Sequence, residues 1–148
     1  MMAERKHTVL VVDDDDGVRR VLGQWVLKLG YELTSANSAE VAIGLLETTE
    51  VDVALCDIRM PGADGIWLAN RMREHFPDVA IVLVTGVHEM DPSVTLRPGV
   101  VAYVIKPFGH DAIASAIKAG VAWREDQTAR PRPPALLDLI DGSADDCV

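Results

Sequence analysis

The stretch VDVALCDIRMPG, residues 51–62, places the carboxylate of Asp57 at the end of an apolar run and turns the chain directly afterwards. A second apolar run, residues 9–12, ends in the same way, in four consecutive aspartates at positions 13–16. Two buried strands that finish in carboxylates predict an acidic cluster at one edge of a sheet. Such a cluster must bind a cation or shift its pKa values, because like charges at close range do not all stay ionised cheaply.

On both sides of this stretch, short β-branched runs alternate with longer segments of helical period. The strand candidates are residues 8–12, 32–36, 53–56, 80–84 and 101–105. Three of them are almost wholly apolar, as expected for parallel strands that are covered on both faces. Five strand–helix units joined by right-handed crossovers predict a doubly wound α/β sandwich. Its functional site is expected beyond the carboxyl ends of the strands.

Apolar residues at helical spacing predict four long helices and one short one. We expect the first to end at Gly30, and Asn37 to cap the second with Glu40 three residues later. The third covers about residues 64–75, a short fourth one starts near Asp91, and the last covers about residues 109–125. The residues expected on the buried faces of the long helices are Val18, Val21, Leu22, Trp25, Val26, Leu29, Val41, Ala42, Leu45, Leu46, Ile66, Ala69, Met72, Phe76, Ile113, Ala116, Ile117 and Val121.

Length and charge limit the classes of protein that fit this chain. Its 148 residues suit one ordinary domain, and the formal net charge of -9 argues against direct binding to nucleic acid. No apolar stretch reaches the ~20 residues of a membrane span, and the first residues lack the apolar segment of a secretory signal. Cys56 and Cys147 are not expected to form a disulfide. A cytoplasmic protein without a membrane partner is therefore predicted.

The composition changes near the end of the chain. We expect a single domain over residues 1–127, followed by an Arg- and Pro-rich linker and an acidic tail over residues 128–148. Within that tail, residues 135–140 could form one amphipathic turn that carries Leu136, Leu137, Leu139 and Ile140. Two interpretations stay open: a frayed tail, or a segment that docks on this domain or on a partner.

Two further strand ends carry polar groups. The fourth apolar run leads into Thr85, and the fifth leads into Lys106. Because the carboxyl ends of parallel strands meet at one sheet edge, these groups join Asp13, Asp14 and Asp57 there. The predicted set is a divalent-cation site beside a nucleophilic carboxylate, with a hydroxyl and an ammonium on its other flank.

These motifs resemble the receiver domain of two-component response regulators, as in the chemotaxis regulators. The matching pieces are Val11-Val12-Asp13-Asp14-Asp15, Asp57-Ile58-Arg59-Met60-Pro61-Gly62 with Asp64-Gly65, Thr85-Gly86, and Tyr103-Val104-Ile105-Lys106-Pro107-Phe108. They follow in the family's order and spacing over residues 7–125. The resemblance implies the flavodoxin-like (βα)5 fold, with a five-stranded parallel sheet in the order 2-1-3-4-5.

The resemblance also implies a role for each site residue. Asp57 would be the phosphoacceptor, and Mg²⁺, with Mn²⁺ as a substitute, would be held by Asp13, Asp14, Asp57 and the backbone carbonyl of Arg59. Lys106 and Thr85 would bind the phosphoryl oxygens, and Tyr103 would turn inward as the switch aromatic. The peptide bond before Pro107 is commonly cis in this family.

The partners follow from the same resemblance. A sensor histidine kinase or a histidine phosphotransfer protein would supply the phosphoryl group, and an unidentified downstream effector would read it. A homodimer would use the face formed by the fourth helix, the fifth strand and the last helix. The protein would be a regulator and not an enzyme, although it would take part in its own phosphorylation and dephosphorylation.

Two other functions remain as alternatives. A metal-dependent phosphohydrolase also forms an aspartyl-phosphate, but it has a second carboxylate two residues after the nucleophile, where this chain has Arg59. A receiver-like binding module that no longer takes phosphate would not need the complete set of site residues.

Other residues allow a functional and a structural interpretation. Trp67 is either a partner anchor or a residue packed on its neighbours. Asp15 and Asp16 are expected to begin the first helix, His88 to be a solvated loop residue, and Cys56 to be an inert core thiol. Three departures from the family pattern, Ala63, Pro98 and Val100, leave the phosphorylation site intact but bear on the signalling face.

Overall fold

The computed structural model describes residues 6–86 and 99–129, apart from the side chains of residues 128 and 129. In chain order, the elements are β1 (Thr8–Val12), α1 (Asp16–Lys28), β2 (Glu32–Ala36), α2 (Ala39–Thr48), β3 (Val53–Asp57), α3 (Gly65–His75), β4 (Ala80–Thr85), β5 (Val100–Ile105) and α4 (His110–Ala129).

The five strands form one parallel sheet in the order β2-β1-β3-β4-β5, which confirms the predicted fold. Val12 pairs with Cys56 across β1 and β3, and Asp57 pairs with Val84 across β3 and β4. The register of β4 and β5 shifts between Ile81 and Val82. Because β1, β3, β4 and β5 end at similar levels, the residues that follow them meet at one edge, which we call the carboxyl edge.

Helices cover both faces of the sheet and divide the core into two layers. One layer lies under α1 and α4 and contains Val9, Val11, Leu22, Val26, Leu55, Val82, Val84, Ile113 and Ile117. The other lies under α2 and α3 and contains Leu10, Val12, Ala42, Leu46, Cys56, Leu68, Met72, Ile81 and Leu83. Alternate strand residues therefore enter opposite layers, as strands covered on both faces require.

The predicted strand positions are confirmed, and three strands are one residue longer than expected. β3 includes Asp57, β4 includes Thr85, and β5 begins at Val100. Asp15 caps α1 by accepting the N–H groups of Gly17 and Val18. Asp16 is the first residue of α1, as expected for a carboxylate near the positive end of a helix dipole.

The prediction that Asn37 caps α2 is wrong. Ser38 is the cap, because it takes the extended conformation directly before the helix and its hydroxyl accepts the N–H of Val41 at 3.1 Å. Both residue types serve as caps, so composition alone does not choose between adjacent positions. Gly30 follows α1 with a φ of 94°, which agrees with its predicted role as the stop.

Two residues that were expected on buried faces are exposed instead. Val21 is 42% exposed and Val41 is 47% exposed, whereas Ala39 and Leu68 are fully buried. The reason is geometric: the strip that one helix buries against a flat sheet is narrower than the apolar stripe in the sequence. On α2 that strip consists of Ala39, Ala42 and Leu46, and Val41 lies beside it.

Two predicted segments lie outside the residues that the structure describes. The predicted fourth helix near Asp91, with His88 and Pro98, and the tail over residues 130–148 lie outside the described residues. The last helix, α4, continues to Ala129, four residues beyond the expected end. Within the described part of the chain, no helix has both the length and the apolar composition needed to cross a bilayer.

A buried ion pair joins the opposite edge of the sheet, where the strands begin. Arg124 on α4 donates from Nε to Asp52 Oδ1 at 3.1 Å and from Nη1 to the carbonyl of Asp78 at 2.9 Å. The other oxygen of Asp52 accepts the N–H of Thr8 at 2.8 Å, and Arg124 Nη2 contacts Glu50 at 3.2 Å. Asp52 is 1% exposed and Arg124 is 9% exposed, so the pair ties α4 to the starts of β1 and β3. No local pattern in the sequence indicates this pair, whose members are 72 residues apart.

Replacing Arg124 by Met is expected to lower the free energy of unfolding by about 3 to 5 kcal/mol, because it leaves the buried carboxylate of Asp52 without its charge partner. Urea unfolding measures this change, with Lys118→Met at an exposed position of the same helix as the matched control. The double variant Arg124→Met/Asp52→Asn should recover part of the loss. A single variant as stable as the Lys118→Met control would contradict the assigned role of the pair.

Candidate functional site

Three carboxylates meet at the carboxyl edge of the sheet. Asp13 directly follows β1 and Asp57 ends β3, and the pairing of Val12 with Cys56 sets these two residues at the same level. One oxygen from each of Asp13, Asp14 and Asp57 can be chosen so that all three lie within 4.8 Å of one another. Asp13 is 1% exposed and Asp57 is 5% exposed, whereas Asp14 is open to solvent. The structure thus brings together the acidic cluster that the sequence predicts.

The charges in this cluster are poorly compensated. Burial raises the pKa of Asp13 to about 6, and the nearby charge of Asp57 adds to the rise, although the N–H of Asp15 opposes it by donating to Asp13 Oδ1 at 2.9 Å. Burial also raises the pKa of Asp57, against the lowering effect of Lys106. Within the described residues, the other oxygen of Asp13, Oδ2, is buried without a hydrogen-bond partner.

The donor set fits a hard divalent cation. Magnesium takes oxygen ligands and is usually held by one or two carboxylates together with water. Here the available groups are the oxygens of Asp13, Asp14 and Asp57, and the buried Oδ2 of Asp13 lacks the partner that such an oxygen normally has. Arg59 lies two residues after Asp57, and its N–H donates to Asp57 Oδ1 at 3.2 Å. The turn that carries the Arg59 carbonyl is therefore anchored on the same carboxylate.

Lys106 supplies the cation on the other flank of Asp57. It follows β5 directly, and its N–H donates to the carbonyl of Thr85 at 2.8 Å, which fixes its backbone beside the end of β4. The ammonium Nζ lies 3.5 Å from Asp57 Oδ2. The peptide bond between Lys106 and Pro107 is cis, as the resemblance implied.

Thr85 and Tyr103 lie on one face of neighbouring strands. Thr85 pairs with Ile105, and Tyr103 pairs with Leu83, so the two side chains occupy alternate positions of the same face. The Thr85 hydroxyl is fully buried and donates to the carbonyl of Gly86 at 3.0 Å. Tyr103 is partly buried against the core layer under α2 and α3. A side chain that moves at position 85 would therefore change the space available to Tyr103.

Arg19 and Gly65 position the loops that carry the carboxylates. Neither role was predicted from the sequence. Arg19 on α1 donates from Nη1 to the backbone carbonyl of Asp13 at 2.8 Å and pairs with Asp16. Gly65 starts α3 directly against the end of β3: its N–H donates to the carbonyl of Ile58 at 3.0 Å. A Cβ atom at position 65 would overlap the carbonyl oxygen of Asp57 and lie 2.8 Å from the Cα of Ile58. In the sequence, the position of Asp64-Gly65 shortly after Asp57 is the feature that could have indicated the role of Gly65.

Two other candidates are placed outside this cluster. Cys56 is fully buried in the layer under α2 and α3, and burial, with a contribution from Asp57, raises the pKa of its thiol to about 12. It is therefore an inert core thiol, as predicted. Trp67 lies on α3 and is 38% exposed, with the guanidinium carbon of Arg71 5.3 Å from its ring centre.

Comparisons with known proteins place this geometry in context. The family model described as "Response regulator receiver domain" matches residues 9–118. The chain is 41% identical over 108 residues to the regulatory protein AtoC of Escherichia coli, covering 72% of the chain and 23% of AtoC. It is 33% identical over 125 residues to the DNA-binding transcriptional regulator NtrC of Klebsiella pneumoniae, covering 83% of the chain and 27% of NtrC. The chain thus spans about a quarter of the length of these relatives.

Solved structures of response regulator receiver proteins have the same fold as this chain. A CheY-like response regulator receiver domain protein from Methanospirillum hungatei superimposes with a TM-score of 0.74 at 29% identity, covering 83% of this chain and all of the other. A putative response regulator from Chloroflexus aurantiacus superimposes with a TM-score of 0.71 at 32% identity, covering 80% of this chain and 99% of the other.

Replacing Asp13 by Asn should change how stability depends on pH in the absence of divalent cations. The pKa of Asp13 is raised from 3.8 to about 6 on folding, so the unfolded chain loses this proton first and the free energy of unfolding falls as pH rises through that interval. Asp13→Asn removes this loss and should be more stable than the wild type above pH 6 in EDTA, with a smaller gain from added Mg²⁺. Urea unfolding on both sides of pH 6 measures both effects.

The control for this prediction is Asp111→Asn, at a fully exposed carboxylate on α4. It should gain as much stability from Mg²⁺ as the wild type, because this carboxylate lies outside the cluster. An Asp13→Asn variant that gains as much stability from Mg²⁺ as this control would contradict the placement of Asp13 in the cation site.

Replacing Gly65 by Ala is expected to cost roughly 1 to 3 kcal/mol of stability, the usual cost of overpacking, because the new methyl group would push α3 away from the end of β3. It should also weaken Mg²⁺ binding, since the displaced backbone belongs to Asp57 and Ile58. Gly44→Ala is the matched control: it lies in α2 with no atom within 4 Å of the added carbon, and should be stabilising. Equal effects of the two substitutions would contradict the close packing at Gly65.

Proposed function

The chain belongs to the family of response regulator receiver domains, and we propose that it accepts a phosphoryl group on the carboxylate of Asp57. One observation carries this proposal. Asp57 ends a central strand between two further carboxylates and an ammonium group, with Lys106 Nζ 3.5 Å from its Oδ2. This arrangement combines a nucleophile, ligands for a divalent cation and a positive charge for the phosphoryl oxygens.

The transfer would proceed by attack of an Asp57 oxygen on the phosphorus of a phosphohistidine in a partner protein. The new oxygen–phosphorus bond forms as the phosphorus–nitrogen bond breaks, and the bond electrons return to the imidazole, which takes up a proton. The transition state of such reactions is loose, so catalysis consists mainly of positioning and charge stabilisation. The Arg59 N–H and Lys106 hold the two oxygens of Asp57 in fixed directions before the transfer.

The family's magnesium ion fits the carboxylate cluster. Asp13, Asp14, Asp57 and the backbone carbonyl of Arg59 would hold Mg²⁺, or Mn²⁺ in its place. When bound, the ion would neutralise negative charge on the phosphoryl oxygens. The residues of the chain explain why a cation is needed: the buried carboxylate of Asp13 has an unpartnered oxygen, and the pKa values of both Asp13 and Asp57 are raised by burial.

The phosphorylated state would be read through Lys106, Thr85 and Tyr103. Lys106 would pair with one phosphoryl oxygen. The Thr85 hydroxyl would give up its hydrogen bond to the carbonyl of Gly86 and donate to a second phosphoryl oxygen. Tyr103, on the same face of the next strand, would turn into the vacated space. Such a switch is a shift between two populated states, and a preference of about 5.5 kcal/mol moves the ratio from 1:99 to 99:1.

The proposed partners follow from the family. A sensor histidine kinase or a histidine phosphotransfer protein would donate the phosphoryl group in the cytoplasm, and a downstream effector would bind the switched surface. A homodimer would use the face that includes β5 and α4. The protein would act as a regulator whose only chemistry is its own phosphorylation and dephosphorylation.

Neither alternative function has an observation in its favour. A phosphohydrolase of the aspartyl-phosphate type needs an acid or base two residues after the nucleophile, and that position holds the exposed Arg59. A module that only binds would not require the buried cluster of Asp13, Asp14 and Asp57, whose uncompensated charge is costly to maintain.

Incubation of the protein with Mg²⁺ and a small phosphodonor should add one phosphoryl group, detected as a mass gain that hydroxylamine removes. Asp57→Asn should abolish the gain, and EDTA should prevent it. Lys106→Met should slow it or stop it, because the ammonium that balances charge beside Asp57 is lost.

The matched control is Asp111→Asn, which removes an exposed carboxylate on α4 and should be phosphorylated like the wild type. A mass gain that persists in Asp57→Asn would overturn the assignment of the phosphoacceptor. Continuous release of phosphate from an added phosphomonoester, at rates far above those of the Asp57→Asn variant, would instead support the phosphohydrolase.

A further inference from the structure

A groove of about 380 Å³ lies between α2 and α3, on the face of the domain away from α1 and α4. Ile43 and Glu47 on α2 form one wall. Trp67, Arg71 and His75 on α3, with Phe76 at its end, form the other. None of these residues belongs to the phosphorylation site described above.

The groove offers an apolar floor with a rim of mixed charge, in which Arg71 and His75 on α3 lie opposite Glu47 on α2. Ile43 and Phe76 pack on the core layer and remain partly open to solvent. Trp67 is 38% exposed, and the Arg71 guanidinium lies over its ring. Arg71 also approaches Glu74, at 3.9 Å between two exposed side chains, a loose contact that contributes little. An apolar segment suits such a floor, and acidic side chains within it suit the α3 side of the rim, where Arg71 lies.

We propose that the groove binds a segment of the same chain, residues 135–141, with the sequence ALLDLID. Four of its seven residues are large and apolar: Leu136, Leu137, Leu139 and Ile140. Asp138 and Asp141 interrupt them and would face Arg71 and His75 at the rim. This segment lies outside the described residues, and its sequence and point of attachment carry the argument.

The point of attachment is close to the groove. Arg124, near the end of α4, contacts Glu50 and the carbonyl of Asp78. Glu50 follows α2 and Asp78 follows α3, so α4 ends at the same edge of the sheet as the two helices that form the groove. The next five residues, Arg130-Pro131-Arg132-Pro133-Pro134, would span roughly 15 Å if they took the polyproline conformation, at about 3.1 Å per residue. The segment would therefore approach the groove from the end at which His75 and Phe76 lie.

Covalent attachment favours this occupant over a second copy of the chain. A short linker gives an effective concentration in the millimolar range, so even a millimolar dissociation constant leaves the groove about half occupied. Two separate molecules, each with a net charge of -9, repel each other instead. The inference does not depend on phosphorylation of Asp57, because none of the residues that line the groove belongs to the phosphorylation site.

A spin label on Cys147 tests the proposal in the full chain. The other cysteine, Cys56, is fully buried, so a thiol reagent is directed to the tail. Paramagnetic broadening should be strongest for the amides near Ile43, Arg71 and His75 and for the Trp67 indole N–H. The extent of this broadening should not change with protein concentration. The experiment is done without a phosphodonor, so Asp57 stays unphosphorylated.

Two variants and one control make the result decisive. Trp67→Ala in the groove and Leu137→Asp/Ile140→Asp in the tail should each remove most of this broadening while the rest of the spectrum stays folded. Leu27→Ala, at a residue on α1 that is 57% exposed, should leave it unchanged. Broadening spread evenly over the surface, or retained in both variants, would overturn the proposal. Broadening that occurs only between spin-labelled and separate ¹⁵N-labelled molecules would also overturn it, in favour of a second copy.

Discussion

The close approach of Asp13 and Asp57 is the constraint on which the rest of the site depends. β1 and β3 are neighbouring parallel strands whose register puts both carboxylates at one level, and both are almost fully buried. Two buried like charges are unfavourable unless an opposite charge joins them. Lys106 supplies one such charge to Asp57, and the unpartnered oxygen of Asp13 leaves room for another. The proposed binding of a divalent cation rests on this imbalance, and the proposed phosphoryl transfer rests on the cation and on Lys106.

Buried carboxylates occur at both edges of the sheet, but among the described residues their charge is balanced by protein groups only at one edge. At the edge where the strands begin, Asp52 is matched by Arg124 and by the N–H of Thr8, so its charge is compensated within the protein. At the carboxyl edge, within the described part of the chain, the three carboxylates of the cluster outnumber the ammonium of Lys106. The first arrangement holds the helix and the strands together. The second leaves an excess of negative charge that a divalent cation can balance, and the proposed phosphoryl transfer is placed at this edge for that reason.

Local patterns in the sequence predicted most of the secondary structure, and their errors share a cause. Short β-branched runs located all five strands, and three of these runs are almost wholly apolar because strands covered on both faces carry little else. The pattern misplaced the cap of α2 and put Val21 and Val41 in the core. In each case several residues of suitable chemistry are adjacent, and the choice depends on the angle at which the helix meets the sheet. That angle is set by contacts with distant residues.

The sequence by itself determined which polar residues follow which strands, and hence that Asp13, Asp14, Asp57, Thr85 and Lys106 share one edge. It could do so because the alternation of strands and helices makes the strands parallel, and the carboxyl ends of parallel strands lie at one edge. Only the tertiary structure decided that Arg124 pairs with Asp52 across 72 residues, that Gly65 leaves no space for a side chain, and that Trp67 borders an open groove. These features depend on distances between elements, and periodicity within one element carries no information about them.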